Sequence, residues 1–142
     1  MGDKNYEFIE HTADIGIRVK GKDSEDLFKN AALAMFDIIA EKKDKARSES
    51  RQRKIEVRQE AGSLEELLVN WLNELLSLSA AEELIFFNFQ SLQLKNNKLK
   101  VEVIGRGFVD YIIKTEIKAA TYCGLKLEQV YSGWQAEIIF DV

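Results

Sequence analysis

The only histidine of the chain, His11, opens the tetrad His11-Thr12-Ala13-Asp14, which sits where an alternating apolar run (Ile15, Ile17, Val19) begins. A second acidic group lies far away in sequence, where the apolar run Trp134–Phe140 gives way to Asp141 and Val142. The α-carboxylate expected on Val142 lies beside the Asp141 side chain, and adjacent anions repel unless they are solvated, paired with a base or bridged by a cation. If the first strands lie beside the last, Asp14 joins this pair. Three carboxyl groups with backbone carbonyls are the oxygen-rich set that hard divalent cations take, calcium more readily than magnesium because its geometry is permissive. An aspartate at a strand end otherwise faces solvent or caps a turn, and spacing alone leaves both readings open. Lys118, in the stretch EIKAATYCGLKL, is the other candidate. The alternation places Ile117, Ala119, Thr121, Cys123 and Leu125 on one face and Lys118, Tyr122 and Lys126 on the other. There a lysine either balances the carboxylates, reaches a partner's phosphate or acid, or lies in solvent. Cys123, on the inward face, reads as a small buried hydrophobe.

Composition excludes several other chemistries. One histidine and one cysteine rule out a self-contained zinc site of Cys/His type and leave only His11 for a catalytic triad, with no nucleophile elbow near it. The Gly-Arg-Gly at 105–107 lacks the length and the Lys-Ser/Thr of a phosphate-binding loop. A net charge of −4 argues against a broad basic surface for nucleic acid, although a local patch is compatible with it. No apolar run approaches membrane-spanning length and no basic-plus-apolar leader is visible, so the expected location is the cytoplasm. A single cysteine fits that reducing compartment.

The elements that must position these residues follow from periodicity. Residues 5–11 and 14–20 alternate as two short strands or one bent one. A helix is expected over 24–43, with acids in its first turn, lysines in its last, and Leu27, Ala31, Ala34 or Met35, and Ile38 on its buried stripe. Residues 41–53 carry six basic residues and hardly an apolar one, which reads as a mobile connector or a docking patch for RNA or an acidic partner. A strand over 53–60 follows, with Ile55 and Val57 inward. Ser63 and Glu66 form a capping box that opens a second helix, whose apolar face holds Leu64, Leu67, Leu68, Trp71, Leu72, Leu75 and Leu76. Strands are expected over 84–94, 98–107, 115–128 and 134–142, with Lys95–Lys98 as a hairpin turn and 106–115 irregular. In the last strand Trp134, Ala136, Ile138 and Phe140 share one face, with Gln135, Glu137 and Asp141 on the other. The sum is one α+β domain over 1–142, a largely antiparallel sheet packed by two amphipathic helices.

Several of these stretches together resemble the archease family: HTADIGI near the start, LFKNAALAMF in the first helix, LEELLVNWLNELL in the second, IKAATYCGLKL, and the closing GWQAEIIFDV. The resemblance spans the chain in the family's order. It implies a small cytoplasmic α+β protein that is not an enzyme but activates the RtcB-type tRNA-splicing RNA ligase, promoting its guanylylation and repeated turnover. The partner implied is that ligase, with tRNA engaged only indirectly and no membrane. An alternative implied role is chaperone-like modulation of a tRNA cytosine methyltransferase or another tRNA-processing enzyme. The family's metal, seen as calcium, maps onto Asp14, Asp141 and Val142, its functional lysine onto Lys118, and His11 and Thr12 onto the turn presenting Asp14. The chain departs from the family at Cys123, where many relatives carry histidine, so the ion site is not made to depend on that position.

Overall fold

In the computed structural model, which describes residues 4–10, 14–44 and 52–142, the alternating segments near the two ends of the sequence become neighbours. Strands β1 (Tyr6–Ile9) and β2 (Ile15–Gly21) pair antiparallel, and β2 in turn pairs with the late strand β9 (Gly133–Asp141). Ile17 faces Ile138 in this register, and both are fully buried. The fourth strand, β8 (Ala119–Val130), completes the sheet in the order β1-β2-β9-β8. A three-stranded antiparallel sheet, β4-β6-β5, is built from β4 (Gln52–Glu60), β5 (Leu84–Lys95) and β6 (Lys98–Gly107). Its hairpin turns at Asn96 and Asn97, both at positive φ (54° and 57°), the conformation tight two-residue hairpin turns require.

Helices α1 (Ser24–Ile39) and α2 (Leu64–Glu82) start in the same way. The Asp23 side chain accepts the Asp26 N–H at 2.7 Å, and Ser63 Oγ accepts the Glu66 N–H at 3.1 Å. The acid three residues on reaches back in each case, Asp26 to the Lys22 N–H and Glu66 to the Gly62 N–H. Each start therefore satisfies two otherwise orphaned backbone donors. The expected stripes are buried at Leu27, Ala31, Ala34, Met35 and Ile38 on α1 and at Leu67, Leu68, Trp71, Leu72 and Leu75 on α2, while Leu64 and Leu76 are only partly buried against the core. One contiguous core joins them to the inward faces of both sheets. At the helix–helix contact the buried Trp71 indole donates to the Phe28 carbonyl at 3.0 Å, giving its N–H a partner without water.

Two expectations need correction here. The first helix ends at Ile39, not near Lys43, because Ala40–Lys42 form strand β3 and pair antiparallel with β7 (Tyr111–Ile113). The Ile39 carbonyl takes the Lys114 N–H at 2.7 Å, which stops the helix, and no basic residue lies in its last turn. The basic stretch 41–53 is likewise not a plain connector at its ends, since Lys42 lies in β3 and Arg53 in β4; Lys45, Arg47 and Arg51 lie outside the described residues. The stretch 106–115 resolves into the end of β6, a 3-10 turn (Phe108–Asp110) and β7. Among the described residues, no helix is long and apolar enough to cross a membrane.

Candidate functional site

Parity along β2 and β9 decides which residues meet. Ile15, Ile17 and Val19 on β2 and Ala136, Ile138 and Phe140 on β9 turn to the core, leaving Gly16, Arg18, Glu137 and Ile139 on the outer face. On that face Arg18 bridges two carboxylates, donating from Nη1 to Glu7 at 2.8 Å and from Nη2 to Glu137 at 2.9 Å. Lys126 of β8 approaches Glu137 at 3.9 Å, so a charge ladder crosses all four strands. The next row is apolar. Ile9, Gly16 and Ile139 lie in register, and a Cβ on Gly16 would come within 2.8 Å of Ile9 Cγ1 and 3.0 Å of Ile139 Cδ1. Glycine at this position lets the two isoleucines close over the strand.

One row further on lies the acidic pair. Ile15, the first residue of β2, is opposite Phe140, so Asp14 and Asp141 are the next residues of the two chains at this end of the sheet. Asp14 is half-buried; Asp141 and Val142 are exposed. The Lys118 N–H donates to the Asp141 carbonyl at 2.7 Å, so the third motif reaches the same end of the sheet through its backbone. The groups at this end of the sheet are oxygens, the set a hard cation takes, and the two carboxylates would supply the charge. Among the described residues no group of three or more His, Cys, Asp or Glu is gathered as a metal site. His11 and Thr12 lie outside the described residues.

The parity expected for β8 fails at its start. Ala120 pairs with the fully buried Phe140 and is itself buried, so Ala119 and Thr121 turn to the outer face. The register then shifts between Thr121 and Lys126, where a bulge with Gly124 at φ +63° inserts extra residues. Beyond it Leu125 and Leu127 turn inward, as the alternation predicts. Cys123 is therefore on the bulge and exposed, not a buried hydrophobe. Lys118 precedes the strand, so strand parity does not assign it a face; it is exposed, with its backbone tied to Asp141.

A positioning residue escaped the sequence reading. Asn73 of α2 donates to the Ala120 carbonyl at 3.0 Å and accepts the Ala120 N–H at 2.8 Å. It thereby pairs with the free edge of β8 as a strand would, next to the row holding Asp141. The available signal was an asparagine inside a leucine-rich helix, where its propensity is poor.

Comparison with known proteins places these observations. The model of the archease protein family (MTH1598/TM1083) matches residues 6–142. A protein archease of Methanosarcina mazei is 38% identical, covering 98% of this chain and 97% of its own length. One from Pyrococcus abyssi is 37% identical over 98% of this chain and 99% of its own. The solution structure of Methanobacterium thermoautotrophicum protein 1598 superposes with a TM-score of 0.69 at 30% identity, over 99% of this chain and 100% of that one. The crystal structure of a Thermotoga maritima archease, described as a possible chaperone, shares the fold with a TM-score of 0.64 at 23% identity, covering 94% of each chain.

Proposed function

The chain belongs to the archease family, and from that premise we propose that it is a protein activator of an RtcB-type tRNA-splicing RNA ligase, acting through its acidic tip rather than as a catalyst. The observation that supports this reading is the β2–β9 register, whose end at Ile15 and Phe140 puts Asp14 and Asp141 next along the two chains, with Lys118 tied to the Asp141 backbone. Three motifs far apart in sequence thus meet at one end of one sheet. Asp14, Asp141 and the main-chain oxygens of Val142 would hold a divalent cation, calcium by the permissive oxygen chemistry of the set. When bound, that ion offsets the repulsion between the two carboxylates. Asp14 and Asp141 present negative oxygens to the ligase close to its active centre, promoting its guanylylation and so its return to a competent state after each round. The exposed Lys118 ammonium engages an acidic group of the ligase or a nucleotide phosphate. Roles for His11 and Thr12 in presenting Asp14 rest on the motif alone.

The test is RNA ligation by the purified ligase with GTP and manganese, with and without this protein, at limiting and at excess ligase. Wild-type protein is expected to raise the number of rounds per ligase and leave the first round nearly unchanged. Asp14→Ala and Asp141→Ala are expected to abolish the gain, and Lys118→Ala to weaken it. Alanine variants that still restore repeated rounds overturn the proposal. A chaperone-like action on a tRNA methyltransferase is favoured by one observation, the exposed apolar residues Val109 (61%), Ile112 (51%) and Ile113 (48%) around β7. It predicts instead that substitutions there, not at Asp141, remove the activity.

A further inference from the structure

The outer face of the β4-β6-β5 sheet has no part in the acidic tip, and its charge is opposite. At its hairpin end the register aligns Glu60, Lys98 and Lys95 in one row and Arg58, Lys100 and Gln93 in the next. These six residues line a groove of about 670 Å³. Within it stand four cations and one carboxylate, in a chain whose net charge is −4. Lys98 approaches Glu60 at 3.8 Å and Arg58 holds Glu56, whereas Lys95 and Lys100 form no ion pair among the described residues. Further along the face Glu56, Glu102 and Lys54 balance one another, so the positive excess is confined to the hairpin end. A register shift between Gln90 and Gln93, with Ser91 at φ 55°, puts a bulge in the β5 edge beside the groove, and bulges bend and coil a strand.

We propose that this groove is a second binding surface, for the phosphate backbone of single-stranded RNA. The choice of occupant rests on what the groove holds and what it lacks. Cations and side-chain amides such as Gln93 are the groups that contact phosphate and sugar. Protein interfaces are instead anchored by aromatic and aliphatic side chains. Leu99, the one apolar residue lining the groove, is only 2% exposed, and the large exposed apolar residues of the described chain, among them Phe8, Val109, Ile112 and Tyr131, lie outside it. With no exposed ring to stack a base, binding is insensitive to sequence and driven by charge.

The experiment is fluorescence anisotropy of the full chain with a fluorescein-labelled oligouridylate. Four phosphate contacts at a slope of about 0.7 each give a loss of affinity of about 50-fold between 50 and 200 mM KCl. Lys98→Glu with Lys100→Glu is expected to weaken binding more than about tenfold at the lower salt, roughly the loss of two neutralised phosphates plus repulsion. Lys95→Ala with Lys100→Ala is expected to flatten the salt slope, and Lys114→Glu, outside the groove, to change nothing; circular dichroism verifies the fold of each. Absence of saturable binding at 50 mM, or binding indifferent to the groove variants, overturns the proposal. So does tight binding of an oligo-glutamate peptide without RNA binding, which would assign the groove to an acidic protein. Because no tip residue lies in the groove, these results are independent of the ligase assay.

Discussion

Asn73 offers the sharpest quantitative check on how the site is built. Replacing it with alanine removes both hydrogen bonds to Ala120, whose residue is only 4% exposed. Each stranded backbone group costs about 1–3 kcal/mol when water is excluded, and the low end applies at a sheet edge, so the loss is about 2–3 kcal/mol. Alanine is the better helix former by about 0.6 kcal/mol, which offsets part of it. The expected net destabilisation is therefore about 2 kcal/mol, or about 6 °C in Tm for a chain of this size. Equilibrium urea unfolding measures it, with an unchanged m-value as the sign that only native stability moved. Asn73→Asp retains an acceptor for the Ala120 N–H but sets a carboxylate oxygen against its carbonyl, so it is expected to be no more stable than the alanine variant. Asn70→Ala, on the same helix, is the contrast and is expected to be neutral or slightly stabilising. A loss below about 0.5 kcal/mol for Asn73→Ala would refute the clamp.

Other expectations follow from separate features. A Cβ on Gly21 would lie 2.3 Å from Leu27 N and 2.6 Å from Leu27 Cα, both backbone atoms of a fully buried residue; Gly21→Ala should lose about 3 kcal/mol or more, read as soluble yield and urea midpoint. Burial pushes the Asp37 carboxyl up, but the hydrogen bonds from Tyr6 (2.5 Å) and Lys4 (3.0 Å) outweigh it and hold the group below its ordinary 3.8. A depressed carboxyl stabilises the fold above its unfolded value and loses that contribution as pH falls. The stability gap between wild type and Asp37→Asn, from denaturant curves at stepped pH, should thus be widest near neutrality and close below 3.8. Cys123, exposed on the β8 bulge, should react with a disulfide reagent in native buffer at the rate of an open thiol, and protection until urea is added would contradict the bulge.

What the sequence made legible was mostly local. The capping pair Ser63/Glu66, the leucine stripe of α2 and the alternation over 134–140 depend on near neighbours, and each formed as its periodicity requires. The end of α1 did not, because the partner of Ala40–Lys42 is Tyr111–Ile113, about seventy residues away. The β8 bulge inverted the parity of Ala119 to Thr121 for a similar reason: alternation assumes an unbroken ladder, and nothing in the letters marks the break except Gly124. For the site, residue types suggested an acidic pair only on the condition that first and last strands adjoin. The β2–β9 register meets that condition. The Asn73 clamp and the Gly16 closure needed the third dimension, since their partners Ala120, Ile9 and Ile139 are set by strand order.

The most direct measurement is transfer of labelled GMP from GTP to the ligase after one completed round of ligation. With wild-type protein the labelled ligase should reappear round after round. Asp141→Asn, which keeps the shape of the side chain and removes its charge, should leave the ligase unlabelled, while Glu128→Gln, an exposed acid of the same sheet, should act as wild type. Relabelling by Asp141→Asn at the wild-type rate would contradict the account.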